Sequence, residues 1–276
     1  LLEGLLPPLY ARYLEFHRRD RILIDHKAAQ ALGEIILQTG TVAPPHRVAQ
    51  LGSVIRSRYF DLQIAAFLER HPQGLVVNLG VGLCTRFWRL PMVPRHWYEV
   101  DCPEVMDLRR TYLTIAPREQ DIGKSGWDCS WMQEIERHPY QSVLVVLEGV
   151  AMYWSPQQNQ ALFRALVDQF KTPEVLIDTI HPRYQVAGEV SLGTMSSRSV
   201  KQNFAMGQGY RPIQWSADVS EIQGWGMGCD VLADWPYLTA MADYPSRLEG
   251  WMTEFLPILH PLLQDSARVY HLRLRG

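Results

Sequence analysis

Apolar and polar positions along this chain follow two different rhythms. Up to about residue 70 the apolar residues recur at helical spacing. Leu9, Tyr13 and Phe16, continuing to Ile22 and Leu23, predict one amphipathic segment, and Ala28, Ala29, Ala31, Leu32, Ile35 and Ile36 predict a second. A loop at 40–45, closing on Pro44-Pro45, precedes a long predicted helix over 48–70. Leu51, Ile55, Leu62, Ala65, Ala66 and Leu68 supply much of its apolar face.

From Leu75 the rhythm changes to short apolar runs, the mark of strands buried on both faces. Residues 75–79, 96–100, 142–147 and 175–180 are such runs. Between them, Pro103 opens a helix carrying Val105, Leu108, Tyr112 and Leu113. Ser155, Pro156 and Gln158 form a capping box for another, with Leu162, Phe163, Leu166, Val167 and Phe170 facing inward. Strands alternating with helices predict an α/β fold around a mostly parallel sheet. Residues 213–215 read as the beginning of a strand, 218–222 as a short helix start and 230–235 as an edge strand. Residues 249–263 read as a helical stretch broken by prolines, and 267–274 as a terminal strand. The segment 181–209 is long, polar and aperiodic, as lids and substrate loops are. The domain reading is therefore a helical cap over 1–70 and a sheet domain over 71–276, with a lid or substrate insertion near 181–209.

Composition narrows the classes. A chain of 276 residues with 47% hydrophobic and 20% charged residues is that of a folded globular protein. The net charge of −2 leaves no broad electrostatic footprint for nucleic acid. No apolar run reaches the roughly 20 residues a membrane helix needs. The start lacks the basic flank of a signal peptide and an initiator Met, so a trimmed or excised chain is expected. Cys84, Cys102, Cys129 and Cys229 form no CxxC pair and read as reduced thiols, which points to the cytoplasm and away from disulfides or zinc.

The chemistry gathers at strand ends. The first run flows into Gly80-Val81-Gly82 and the second ends on Asp101, the order of a nucleotide site. Glycines let the backbone approach a ligand, and a strand-end acid accepts hydrogen bonds from ribose hydroxyls. Thr85 stands where a third glycine would complete the dinucleotide fingerprint, which favours an adenosyl ligand without a pyrophosphate. Glu148, at the end of the strongest strand, lies where open α/β sheets bind ligands. Asp121 and Ile122 offer an acceptor and an apolar side chain of the sort adenine needs, although an ordinary acidic loop fits them as well. GxxxxGK[ST], HExxH and Gly-x-Ser-x-Gly are all absent, so phosphoryl transfer, zinc hydrolysis and α/β-hydrolase chemistry lack their motifs; no metal is expected. S-adenosyl-L-methionine remains as the fitting cofactor.

VVNLGVGLCTRFWRL, WYEVDCPEV, the QDI segment and LEGVAMYWSPQQ together resemble the leucine carboxyl methyltransferase family, in particular its bacterial polyketide carboxyl O-methyltransferase branch. The likeness runs from about Tyr10 to about Asp178. It implies a Rossmann-like methyltransferase fold with a seven-stranded sheet and an N-terminal cap. It also implies cofactor-binding roles for Arg12, Arg56, Gly80, Asp101, Asp121, Ile122 and Glu148: Arg56 for the cofactor carboxylate with Arg12 nearby, and Glu148 for its aminoacyl end. Cys84 and Cys102 depart from the family pattern, and neither is expected to touch the chemistry. Tyr153, His181, Arg183 and Tyr184 are candidate acceptor-pocket residues. His181 is the candidate base if the acceptor is a hydroxyl, with Tyr153 beside it in the catalytic set. The expected acceptor is a small carboxylic acid or polyketide-like molecule, with no nucleic acid or membrane partner. Methylation of a protein C-terminal carboxylate, a non-catalytic cofactor-binding domain and a nicotinamide oxidoreductase are the rival readings.

Overall fold

The apolar runs become a sheet in which every core strand is covered on both faces. In the computed structural model, which describes residues 2–40, 44–45, 47–92, 94–114, 116–136, 142–182, 185–186, 189–190, 213–248, 261, 264 and 266–276, five parallel strands are laid down first. They are β1 (Leu75–Leu79), β2 (His96–Asp101), β3 (Glu119–Gly123), β4 (Val143–Leu147) and β5 (Glu174–Ile180). A two-residue pair, β6 (Gln185–Val186) and β7 (Glu189–Val190), stands apart from the sheet, and β8 (Gly228–Trp235) and β9 (Ala267–Arg275) complete it. The order across the seven strands is β3-β2-β1-β4-β5-β9-β8. β9 is antiparallel to both its neighbours, so β8 runs in the same direction as β1–β5. The ends of β1, β2, β4, β5 and β8 therefore share one edge.

The period-2 geometry of strands sorts the core into two layers. Val77, Val145 and Ile177 pack with Leu162, Phe163 and Leu166 of helix α5 (Pro156–Gln169) and with Trp131. Val76, Leu144, Val146 and Leu176 pack with Phe60, Ile64, Phe67 and Leu68 of helix α3 (Arg47–Arg70). The N-terminal half of α3 turns away from the sheet: Leu51, Val54 and Ile55 pack with Ala11, Ile22, Leu23, Met241 and Leu248. Helices α1 (Leu2–Phe16) and α2 (His26–Thr39) close a further cluster through Leu9, Ala28, Leu32 and Ile35, together with Leu83 and Leu113. One helix thus serves both the expected cap and the sheet.

Local rules hold where caps are strong. Ser155 Oγ accepts from Gln158 N at 3.2 Å and Gln158 Oε1 from Ser155 N at 2.8 Å, the reciprocal capping box. Pro103 opens helix α4 (Pro103–Tyr112). Three expectations fail. Ile22 and Leu23 do not extend α1, which ends at Phe16; they are buried in the connection to α2. Residues 213–215 form no strand, and are held instead by Gln214 N and Trp215 N donating to Met152 O. The polar segment around Asp121 is no loop but the edge strand β3, where only one side needs apolar cover. Most of 181–209 and 249–263 lies outside the described residues, Arg183 and Tyr184 included.

Candidate functional site

The turn after β1 can be built only with glycine at its first position. Gly80 has φ +64°, and a Cβ there would collide with the Val150 side chain. Its N–H donates to Val100 O at 2.8 Å, which binds the turn to the end of β2. Gly82, at φ +50°, donates its N–H to Asp101 Oδ2 at 2.9 Å, while Cys102 N donates to Asp101 Oδ1 at 2.8 Å. Each carboxylate oxygen keeps a second lone pair for a ribose hydroxyl. Burial pushes the Asp101 carboxyl above its usual range, against these amides.

Asp121 meets an adenine's needs most directly. Both its carboxylate oxygens are buried with no hydrogen-bond donor, and Arg110 Nε stands off at 3.5 Å. Burial raises its pKa. An orphaned buried acceptor is costly unless a ligand donates to it, and an exocyclic amine is such a donor. Ile122 points the other way, 3% exposed in the core with Leu79 and Val100. Behind Asp121, carboxylate oxygens of Glu99, Glu119 and Asp121 lie within 4.8 Å of one another. The Arg109 guanidinium pairs with both Glu99 and Glu119, and so supplies the cation there. Burial first, and then Glu119, push the Glu99 carboxyl far up in spite of Arg109.

At the ends of β4 and β5 the charges alternate. Glu148 accepts from Arg56 Nε at 3.1 Å, from Ser57 Oγ at 2.8 Å and from Arg86 Nη2. Arg56 Nη1 donates to Asp178 Oδ2 at 2.9 Å, and Gly149 N to Asp178 Oδ1 at 2.6 Å. Arg86 Nε reaches Asp61 at 2.6 Å, and Arg89 bridges Asp61 and Asp25, both at 2.8 Å. Arg12 Nε closes the line on Asp25 at 3.0 Å, with Nη2 on Leu83 O. Burial pushes the Glu148 carboxyl up, but Arg86 and Arg56 outweigh it and hold it far below the carboxylate range. Burial likewise opposes the Arg56 charge, and Asp178 and Glu148 over-compensate.

The structure thus brings Arg56 and Glu148 together as partners of each other and sets Arg12 at the far end of the same line. Sequence reasoning missed Asp25, Asp61, Arg86, Arg89 and Asp178. The strand-end rule that picks out Asp101 and Glu148 also applies to Asp178; the others carry no signal beyond charge. Cys84 lies beside this line of charges. Its Sγ accepts from Arg86 Nη1 at 3.5 Å, and although burial raises its pKa, Arg86, Arg89 and Arg12 lower it on balance.

Toward the acceptor side, Tyr153 is half-buried in the short 3-10 turn Ala151–Tyr153, with its carbonyl accepting from Gln214 Nε2 at 2.9 Å. His181, just past β5, has Nε2 3.7 Å from Asp218 Oδ2 and its backbone N–H on Ser266 O at 3.0 Å. Of two cavities of about 330 Å³, one, lined by His71, Ser142, Glu174 and Arg273 among others, is at the opposite edge of the sheet; the other, beside Lys27 and Trp88, is lined by Asp25 and Arg89 at the far end of the charge line.

The profile of the leucine carboxyl methyltransferase family matches residues 11–167, which takes in α2, α3, the glycine turn, Asp101, Asp121 and Glu148. The chain belongs to this family. Two relatives are each 26% identical. The tetracenomycin polyketide synthesis O-methyltransferase TcmP of Streptomyces glaucescens aligns over 181 residues, 65% of this chain and 66% of the relative. The S-adenosyl-L-methionine-dependent methyltransferase dpfgK of Gibberella zeae aligns over 182 residues, 61% of each. The alignments therefore span just under two thirds of the relatives' lengths. The crystal structure of a candidate methyltransferase from Thermobifida fusca superposes with a TM-score of 0.53 at 14% identity, covering 98% of this chain and 94% of that one, a likeness of fold. The cofactor of the family member described here is S-adenosyl-L-methionine. The residues fit it: an orphaned acceptor for adenine at Asp121, spare lone pairs for ribose at Asp101, and buried charge of both signs for the aminoacyl tail at Arg56 and Glu148.

Proposed function

We propose that this protein is an S-adenosyl-L-methionine-dependent O-methyltransferase that methylates a carboxylate or hydroxyl of a small, polyketide-like acceptor. Support comes from a single arrangement: nucleoside-binding groups and a paired Arg56–Glu148 clamp share one sheet edge, and Tyr153 and His181 follow the two strands that bound the clamp. The likeness to TcmP supports the acceptor class.

The bound cofactor supplies an electrophilic methyl on a positively charged sulfur. What this chain does is hold and orient. Asp121, Asp101 and the Gly80 turn fix the nucleoside; Arg56 and Glu148 receive the carboxylate and ammonium of the tail. Fixing both reactants in line removes much of the entropic barrier. A carboxylate acceptor is ionised at neutral pH and needs no base. A hydroxyl acceptor needs one, and His181, with Nε2 3.7 Å from Asp218 Oδ2, is the candidate.

Radiolabelled methyl transfer to a panel of aromatic acids and phenols tests the reading. Labelled ester or ether is the expected product, and His181→Ala should abolish phenol methylation while sparing acid methylation. Binding of S-adenosylhomocysteine without transfer to any acceptor would instead favour a non-catalytic cofactor-binding domain. The proposed location is the cytoplasm; among the described residues no helix is long and apolar enough to cross a membrane.

A further inference from the structure

The clamp arginine has more partners than cofactor binding requires, and two of them come from parts of the chain with no assigned role. Arg56 gives Nε to Glu148 and Nη1 to Asp178. Its guanidinium lies flat on Gly149: a Cβ at that glycine would sit 3.1 Å from Nη2 and 3.4 Å from Nη1. Gly149 has φ +67° and is itself held by its N–H on Asp178 Oδ1. Asp178 therefore fixes both the arginine and the peptide it rests on.

Tyr237 lies on the remaining side, near enough to Arg56, Asp178 and Glu148 for their charges to act on its hydroxyl. Topology explains how a residue 181 positions away in sequence arrives there. Asp178 and Trp235 both pair with Val269, one on each side of β9. Tyr237 leaves the sheet two residues after the end of β8, at the level of Asp178. Trp235 stacks on Tyr59 of α3 with ring centroids 4.0 Å apart, which ties that strand end to the helix bearing Arg56. Burial pushes the Tyr237 hydroxyl up to about 12, so it remains protonated at neutral pH. With Nε and Nη1 engaged by carboxylates, Nη2 is the guanidinium nitrogen whose N–H groups the described residues leave for a ligand.

We propose that Tyr237 and Asp178 are positioning residues of the cofactor site, which hold Arg56 on Gly149 so that its remaining N–H groups meet the carboxylate of the cofactor tail. This rests on the assignment of Arg56 to that carboxylate. Two ligands separate a tail-positioning role from a merely structural one. S-adenosylhomocysteine carries the aminoacyl tail, and 5′-methylthioadenosine has the same nucleoside and thioether but lacks it.

Calorimetric titration of both ligands into wild type, Tyr237→Phe and Asp178→Asn is the test. Asp178→Asn breaks the charged bond to Arg56 and should weaken S-adenosylhomocysteine more than about tenfold, and Tyr237→Phe, which removes the hydroxyl beside the guanidinium, about tenfold, while 5′-methylthioadenosine affinity stays within about twofold. Tyr237→Phe keeps the ring that packs below β8, so it should stay folded where Asp178→Asn loses stability. Equal losses for both ligands, or no loss for either in Tyr237→Phe, overturn the proposal. Failure of wild type to bind S-adenosylhomocysteine, or equal wild-type affinity for the two ligands, overturns the Arg56 assignment itself.

Discussion

Replacing Glu148 with Gln keeps the shape of the side chain and removes one charge from the middle of the line. The carboxylate is 11% exposed and faces Arg56 at 15% and Arg86 at 1%. Breaking a buried pair costs about 3–5 kcal/mol, because the partner's charge is left uncompensated. Here Arg56 keeps Asp178 and Arg86 keeps Asp61, so the lower end applies, about 3 kcal/mol. For a chain of this size that is a fall in Tm of about 6–12 °C. The pH dependence has a definite sign. Glu148's folded pKa lies far below its unfolded value, so its contribution is full above the unfolded pKa of about 4.3 and fades as pH falls below it. Thermal unfolding at pH 7 and pH 4, with and without S-adenosylhomocysteine, measures both effects. The variant should lose stability at pH 7, lose less at pH 4, and gain little from ligand. A paired Glu148→Gln/Arg86→Gln variant restores neutrality and should recover part of the Tm. A Glu148→Gln protein whose Tm stays within about 1 °C of wild type, with ligand affinity intact, refutes the argument.

Gly80→Ala forces a Cβ into Val150 at φ +64°, and should lower both Tm and cofactor affinity, the latter at least about tenfold. Calorimetry on Gly80→Ala/Val150→Ala should show partial recovery; no recovery would mean the collision is not the cause. Asp121→Ala should weaken S-adenosylhomocysteine and 5′-methylthioadenosine alike, because both carry the adenine; selective loss of the former contradicts its placement. At the opposite edge of the sheet, burial raises the Glu174 carboxyl, but His271 and Arg273 outweigh it and bring it to about 2. Its stabilisation is present above about pH 4.3 and lost as pH falls toward 2. Glu174→Gln should therefore flatten the decline in denaturation free energy across that window, and an unchanged slope removes the group from acid unfolding.

The strands were legible because burial on both faces leaves few polar positions to confuse the pattern; β1 and β4 are buried at every residue, with Asn78 their one polar side chain. Edge elements were not. β3 shows Glu119, Gln120 and Asp121 in sequence, because Arg109 neutralises one face and the cofactor is expected to cover Asp121. The positions of the glycine turn, Asp101 and Glu148 were legible because each sits at a strand end, the edge that topology picks out. Asp61, Arg86 and Arg89 were hidden for the converse reason: a charged residue reads as surface until the fold shows what it faces. Arg86 is 1% exposed, and nothing in its neighbourhood along the chain announces that.

The composition of the line also constrains how the tail can enter. Arg12, Arg56, Arg86 and Arg89 alternate with Asp25, Asp61, Glu148 and Asp178, so the cluster is neutral as it stands. An anionic tail alone would leave this buried set with surplus negative charge, and a cationic one with surplus positive charge, either at a cost of several kcal/mol. The amino-acid end of S-adenosyl-L-methionine is a zwitterion. In the proposed assignment, its carboxylate on Arg56 and its ammonium on Glu148 would add one charge of each sign, beside existing partners of opposite sign, and neutrality would be preserved. Arg56 and Glu148, both largely buried, serve as each other's counter-ions. A nucleotide with an unneutralised phosphate finds no such balance, in keeping with the preference for an adenosyl ligand without a pyrophosphate drawn from Thr85 in place of the third glycine.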